Sequence, residues 1–451
     1  MDFRFPIFLL LVTGAISFGL VPITYKMAII GIMAIAWFAV SFTIAPRGAF
    51  LFLLLIRPSV DVFRNFGFEF GPVATLNVNA ILAILVIIPG VFFLLIHKHN
   101  FLDNKVSRFF LLYLAFTLLW GILVSNNRIN SSAVFLRELS FFVVFCLSFR
   151  LFNRNQQIKK LTAVFILSSV VPLSVAFLQA IKRGLEFPVH LPSIEGAHPG
   201  IQGTFSHPAG LAIYLMLLLL VSSGLLLTET KKASVLKWTA VSAILYFFLI
   251  LTYYRTAWAG FFGALVIISL LKYRKLSVPI LVLVLISLVV APSILQRSSE
   301  FSSWYWRVRV WNRLLLSGGN TLDYLFGRGL GSISVLLSDV WGMGVVTAHN
   351  TYMRMFFETG ILGICLFLSV KLLLLRRAYD LLGKDRPGCV RAVSIAVFGM
   401  SIALFIGYAT QSITGPAVMW YYWAYAGALY GLEHQFKKEK ASQPLNPQRS
   451  E

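Results

Sequence analysis

From residue 6 to residue 433 the chain is a succession of apolar runs, divided by short polar breaks and twice by long ones. A membrane crossing takes about 20 apolar residues in a helix. On that measure the runs fall at 6–21, 27–44, 48–58, 74–96, 109–124, 133–149, 161–181, 208–227, 237–253, 256–271, 277–292, 353–375, 391–410 and 416–433. The third is too short to cross alone, so it is tilted, re-entrant or longer than its apolar stretch. No run alternates apolar and polar residues at period two, as the strands of a membrane barrel do. The pattern therefore predicts an all-α polytopic membrane protein of about 12–14 transmembrane helices, one integral membrane domain over 1–451 without repeat or linker. The first 20 residues have the outline of a signal peptide. They lack a small-residue cleavage site and another span follows at once, so they read as the first helix.

Composition sharpens this picture. The chain is 58% hydrophobic and 12% charged, with mean hydropathy +0.81, which excludes a soluble domain. A net charge of +22 in a soluble chain suggests nucleic acid. Here the basic residues lie in the breaks between spans, so the partner is anionic lipid and no nucleic acid is expected. Cys146, Cys365 and Cys389 fall in helices or in a loop on the basic side, so no disulfide is expected.

Basic loops face the cytoplasm. With both termini inside, 24 of the 39 lysines and arginines lie on the inner side and 14 on the outer side. That places the two long breaks, 182–206 and 293–350, outside, and the tail 435–451 inside. The residue types divide as well: 13 of the 24 inner positions are Lys, whereas Lys26 and Lys182 are the only outer lysines. Arginine is favoured where a planar fork grips phosphate or carboxylate. The outer arginines thus have two readings, anion contacts or structural pairs with Asp61, Glu69, Glu138 or Asp323.

The polar chemistry pools in those outer breaks. The first carries His190 and His198, with His207 just beyond; their spacing matches no metal-ligand pattern and no carboxylate pair completes one. In the second, Phe301, Trp304, Tyr305, Val308, Trp311 and Leu315 recur at helical spacing. They predict an interfacial helix with its aromatics in lipid, Arg307 on one flank and Arg309 and Arg313 on the other. Gly327, Gly329 and Gly331 permit either a tight turn or a nest of backbone N–H groups facing an anion. Arg255 sits between two apolar runs with almost no loop, so it needs a polar cavity or a partner. His349 precedes a span and is either a helix-start residue or a base able to exchange a proton near neutral pH. Arg354 and Glu358 are four apart and can pair on one helix face, making Glu358 a neutralised structural carboxylate or a residue that orients the site.

The ordered set GTFSHPAGLA at 203–212, LTYYRTAWAG around Arg255, Arg307-x-x-x-Trp311, LFGRGLGS, and AHNTY with ETGILG resembles the motifs of the O-antigen ligase and polysaccharide polymerase superfamily of bacterial membrane glycosyltransferases. Tyr254 stands where that family often has Ser. The resemblance covers about 203–363. It implies a GT-C-like fold with two long periplasmic loops. It also implies an enzyme of the inner membrane that takes a glycan from undecaprenyl pyrophosphate, without metal or other cofactor. The acceptor is a sugar hydroxyl, on lipid A–core or on another lipid-linked glycan. On that reading His349, Arg255 and Arg307 are catalytic, and Arg309, Glu358 and Tyr352 bind substrate. The alternatives are a transporter or flippase of lipid-linked sugars, or a non-catalytic subunit. A transporter needs a polar route, and apart from Arg137, Glu138, Lys371 and a few amides the spans are apolar.

Overall fold

The computed structural model describes residues 38–63, 67–70, 74–97, 104–125, 128–182, 200–274, 300–316, 319–333, 348–383 and 386–442, with a few isolated positions besides. The expected span at 6–21, most of 27–44 and nearly all of 277–292 lie outside the described residues. So do His190, His198 and the tail beyond residue 442.

The order of elements is α1 (Pro46–Val60), a hairpin of β1 (Gly67–Phe70) and β2 (Ala74–Asn77), then α2 (Val78–Ile96), α3 (Lys105–Leu123), α4 (Arg128–Leu151), α5 (Asn155–Leu167) and α6 (Val170–Lys182). There follow α7 (Pro208–Leu226), α8 (Lys232–Leu251), α9 (Arg255–Lys272), α10 (Glu300–Leu316), the short α11 (Thr321–Phe326), α12 (Thr351–Asp380), α13 (Gly388–Tyr408) and α14 (Pro416–Ser442). Among the described residues nine helices are long and apolar enough to cross a membrane, with α5 and α6 forming one crossing. The chain is an all-α polytopic membrane protein. The hairpin, with Gly67 opposite Asn77 in antiparallel register, is the one strand pair among the described residues. It corrects the span expected from residue 74, because the helix begins at Val78.

Two features of the sequence explain departures from the apolar runs. The crossing 155–182 turns at Ser168 and Ser169, whose hydroxyls donate back to the carbonyls of Phe165 (2.7 Å) and Ile166 (2.6 Å) and so compete with the helical ladder. The short third run lies in a longer helix: α1 starts at Pro46, follows a helical stretch at 38–44, and continues into a 3₁₀ turn at Asp61–Phe63.

In lipid, helices associate through close packing and hydrogen bonds rather than through a hydrophobic driving force. The core helix α14 shows both. Trp420, Tyr421, Tyr422, Trp423 and Tyr425 are all buried. A Cβ at Gly427 would stand 2.1 Å from the Phe145 carbonyl oxygen, and one at Gly431 2.5 Å from that of Phe149. These two glycines, four apart, let α14 lie directly on α4. Three of the polar tips of these aromatic residues find buried partners: Tyr425 with Thr162, Tyr422 with Ser401, and the Trp420 indole with Ser140.

Long-range hydrogen bonds tie the connections at one end of the bundle together. Thr204 donates to Pro58 O (2.7 Å), Ile201 N to Leu251 O (3.1 Å), and Leu330 N to Gly121 O (2.9 Å). This is the end at which the polar residues converge.

Candidate active site

The break before Arg255 is built locally. The Thr252 hydroxyl closes the end of α8 on Leu249 O (2.6 Å), and the Trp258 indole N–H donates to the same carbonyl at 3.0 Å. The chain reverses within Thr252–Tyr254, with Tyr253 at φ +52°. Arg255 thereby becomes the first residue of α9, half-buried, and the next side chain, Thr256, bonds to the Thr410 hydroxyl at 3.0 Å.

Helix α10 brings Arg307 to the same place. Its guanidinium Nη1 points at Thr410 O (3.5 Å), and its buried Nε has no acceptor among the described residues. Arg307 also stands close enough to Tyr254 to oppose the upward shift that burial imposes on that phenol's pKa. The expected outward stripe of α10 is corrected. Tyr305 and Leu315 are exposed, but Trp311 turns inward and donates to Ala348 O (2.7 Å). Val310 and Leu314, with Ile333, Leu337, Ala348 and Phe357, form a small second core. The inward-facing stripe is thus 307, 310, 311 and 314, with Val310 and Leu314 buried and Arg307 and Trp311 half-buried, a helical i, i+3, i+4, i+7 set that draws Arg307 inward. The side chains of Phe301 and Trp304 lie outside the described residues. Arg309 is exposed, its guanidinium 4.9 Å from the centre of the Tyr305 ring.

The shared reference is the turn between α13 and α14, residues 409–415. Gln411 Oε1 lies 3.2 Å from His349 Nδ1. The Asn350 amide donates to Ala409 O (3.0 Å), and the Thr351 hydroxyl to Gln411 O (2.7 Å). Since an amide oxygen only accepts, Nδ1 carries the proton, and Nε2 is the basic nitrogen of His349. His349 is not the helix cap. Asn350 takes that role, its side chain accepting from Met353 N (3.0 Å). His349 is instead held at φ +47°. Among the described residues it and Tyr253 are the only non-glycines in the left-handed region, a strained conformation that clusters at functional sites. Arg307 and His349 therefore meet at Thr410 and Gln411, and Arg255 stands one residue before the Thr256–Thr410 contact.

Tyr352 and Glu358 lie deeper. The Tyr352 hydroxyl donates to Phe405 O (2.9 Å). Glu358 is buried and paired with Arg354 at 3.6 Å; Arg354 in turn reaches Glu138 at 3.9 Å. The Gly-rich turn seals this cluster. Arg328 N donates to Phe357 O (2.9 Å) and Gly329 N to Glu358 O (3.1 Å), while the Gly331 N–H faces the Glu358 carboxylate. The glycines thus form a tight turn, all three at positive φ, with one N–H, that of Gly331, directed at the carboxyl of Glu358. Gly360, at φ +63°, breaks α12 where a Cβ would stand 2.4 Å from Leu325 O, and so lets α11 dock there. Beside this cluster Lys371 is buried between the rings of Tyr422 and Trp423, 4.2 and 4.1 Å from their centres. The space between these groups is a cavity of about 20 Å³, room for about one water.

Other arginines carry the structural pairs anticipated for them: Arg57 with Asp61 (3.7 Å) and Arg328 with Asp323 (3.3 Å). No group of three His, Cys, Asp or Glu side chains converges among the described residues. His207 caps α7 by accepting from Ala209 N (3.0 Å), and its ring meets that of Tyr254 edge-on at 6.5 Å. Sequence reading missed Thr410 and Gln411. They sit in a short uncharged turn, and the one available signal was a polar TQS cluster between two apolar runs.

No curated protein matches the chain. A protein-family model does match: residues 240–368, the segment holding Arg255, Arg307, His349 and Glu358, are similar to the family described as O-antigen ligase, in agreement with the resemblance of the motifs.

Proposed function

We propose that this protein transfers a glycan from undecaprenyl pyrophosphate to a sugar hydroxyl at the outer face of the inner membrane, in ligation or polymerisation of a surface polysaccharide. The meeting of Arg307 and His349 at one turn, with Arg255 beside the Thr256 contact to that turn, carries this reading. The acceptor oxygen attacks the anomeric carbon of the donor sugar, the bond from that carbon to the pyrophosphate oxygen breaks, and the lipid pyrophosphate leaves with the bonding pair. Arg255 and Arg307 stabilise the charge that grows on it, usually the largest catalytic contribution. His349 Nε2 takes the hydroxyl proton, a contribution of about 10²–10⁴-fold. Gln411 holds the ring in the tautomer this requires. Arg309 at the exposed rim contacts donor or acceptor from outside, and Tyr352 and Glu358 shape the floor. The protein's own cations serve the role a metal has in other phosphate chemistry, so transfer survives EDTA.

The small cavity beneath the site favours an enzyme over a transporter, since about 20 Å³ admits no sugar. The test compares His349→Ala with the parent protein, measuring donor binding and single-turnover transfer separately. Slowed transfer with retained binding supports the base; unchanged transfer overturns it.

A further inference from the structure

At the opposite end of the bundle a crevice of about 710 Å³ opens between α5, α7, α8, α13 and α14. Its size falls within the ~300–1,000 Å³ typical of small-molecule sites. Ile166, Val221, Val241 and Val393 wall it. In its depth the hydroxyls of Thr162 and Tyr425 bond to each other at 2.5 Å, so the floor has little to offer a polar ligand. The rim is different. Lys159 from α5 and Lys237 from α8 are exposed at its mouth. The Trp238 indole, half-buried beside the Lys237 ammonium at 5.2 Å, is an anchor of the kind found at membrane interfaces. The one carboxylate in the lining, Glu229, accepts from the backbone of Thr230 and Lys231 (3.2 and 3.4 Å). An apolar slot with a cationic mouth is complementary to a chain with an anionic head. Helix α8, moreover, has the smallest covered share of the nine spanning helices, 22% of its most apolar stretch, so lipid lies along it.

We propose that this crevice binds one anionic phospholipid of the bilayer, an acyl chain lying between α5 and α8 against Val221 and Val393, and the phosphate held by Lys159 and Lys237. Such sites between helices on the cytoplasmic side are a known mode of lipid recognition. The binding is independent of the transfer reaction and stands whether or not His349 is the base.

A native reporter is present. Cys389 lines the crevice and is half-buried, Cys146 is buried, and Cys365 is exposed on α12. With Cys365→Ser as background, maleimide labelling of Cys389 is timed in nanodiscs of phosphatidylcholine alone and of phosphatidylcholine with phosphatidylglycerol. Native mass spectrometry then identifies lipid retained from the mixed bilayers. Phosphatidylglycerol is expected to slow labelling about tenfold or more and to be retained. Each lysine accounts for roughly fivefold, so Lys159→Gln with Lys237→Gln abolishes both effects. Equal labelling in the two bilayers, retention of phosphatidylcholine without preference, or retention that survives the double substitution would each overturn the proposal.

Discussion

Replacing Gln411 by Leu removes the acceptor for His349 Nδ1 and keeps a side chain of similar size. The magnitude follows from the bond, whose partners stand 3.2 Å apart. A neutral hydrogen bond contributes about 0.5–1.5 kcal/mol and one to a charged group about 1.5–3. In the proposed mechanism His349 takes the acceptor's proton and its ring becomes cationic, so the bond gains about 1–1.5 kcal/mol on the way to the transition state. Losing that gain slows the chemical step about tenfold and lowers the basicity of the ring by about one pH unit. The sign is fixed by which form works. A base acts deprotonated, so activity falls as pH drops through its pKa. The variant destabilises the protonated form, so the acid limb moves to lower pH while the plateau rate falls. Gln411→Glu does the reverse and moves the limb to higher pH. Single-turnover transfer in detergent or nanodiscs, from about pH 5 to 9 and with donor saturating, separates the plateau from the limb. Gln411→Leu with a plateau within twofold of the parent and an unmoved limb would refute the assignment of His349 Nε2 as the base oriented by Gln411.

Three other outcomes are expected. Arg255→Ala and Arg307→Ala abolish transfer and weaken donor binding in the inserted, folded protein, and Lys at either position rescues poorly because a point charge does not reproduce the fork; near-normal turnover of Arg255→Ala would reassign it to a structural pair. Asn312, exposed on α10, labels from outside intact cells when replaced by Cys; labelling that needs permeabilisation would invert the orientation and remove the mechanism. Arg354→Leu removes the guanidinium paired with both Glu358 and Glu138 and leaves Arg137 and Lys371 as the neighbouring cations, destabilising the protein by about 3–5 kcal/mol, read as a lowered midpoint of thermal unfolding; an unchanged midpoint would show that the pair with Arg354 does not hold the cluster.

The apolar runs made the helices legible, because each crossing announces itself by length and composition. The break at Arg255 was legible for the same reason: a charge between two such runs has few places to go. Side-chain direction on α10 was not. Aromatic periodicity assigned Trp311 to lipid, whereas burial follows Val310 and Leu314, which bracket it and draw Arg307 inward. The hairpin at 67–77 escaped because its second strand, ending at Asn77, runs directly into the apolar helix that starts at Val78, with no residue between them. Thr410 and Gln411 escaped for a deeper reason. Their part is to be a fixed set of backbone and amide acceptors, and acceptors of that kind have no sequence signature until a fold brings arginine and histidine to them.

The position of that turn in the chain has a consequence for biogenesis. Arg255, Arg307 and His349 have all left the ribosome before residue 411 is made, and α14, which packs on α4 through Gly427 and Gly431, comes later still. A nascent protein paused after α12 therefore displays its cations without the frame that aligns them. Under the proposed mechanism, transfer begins only when α13 and α14 have inserted, so a chain synthesised through α12 alone does not consume lipid-linked donor.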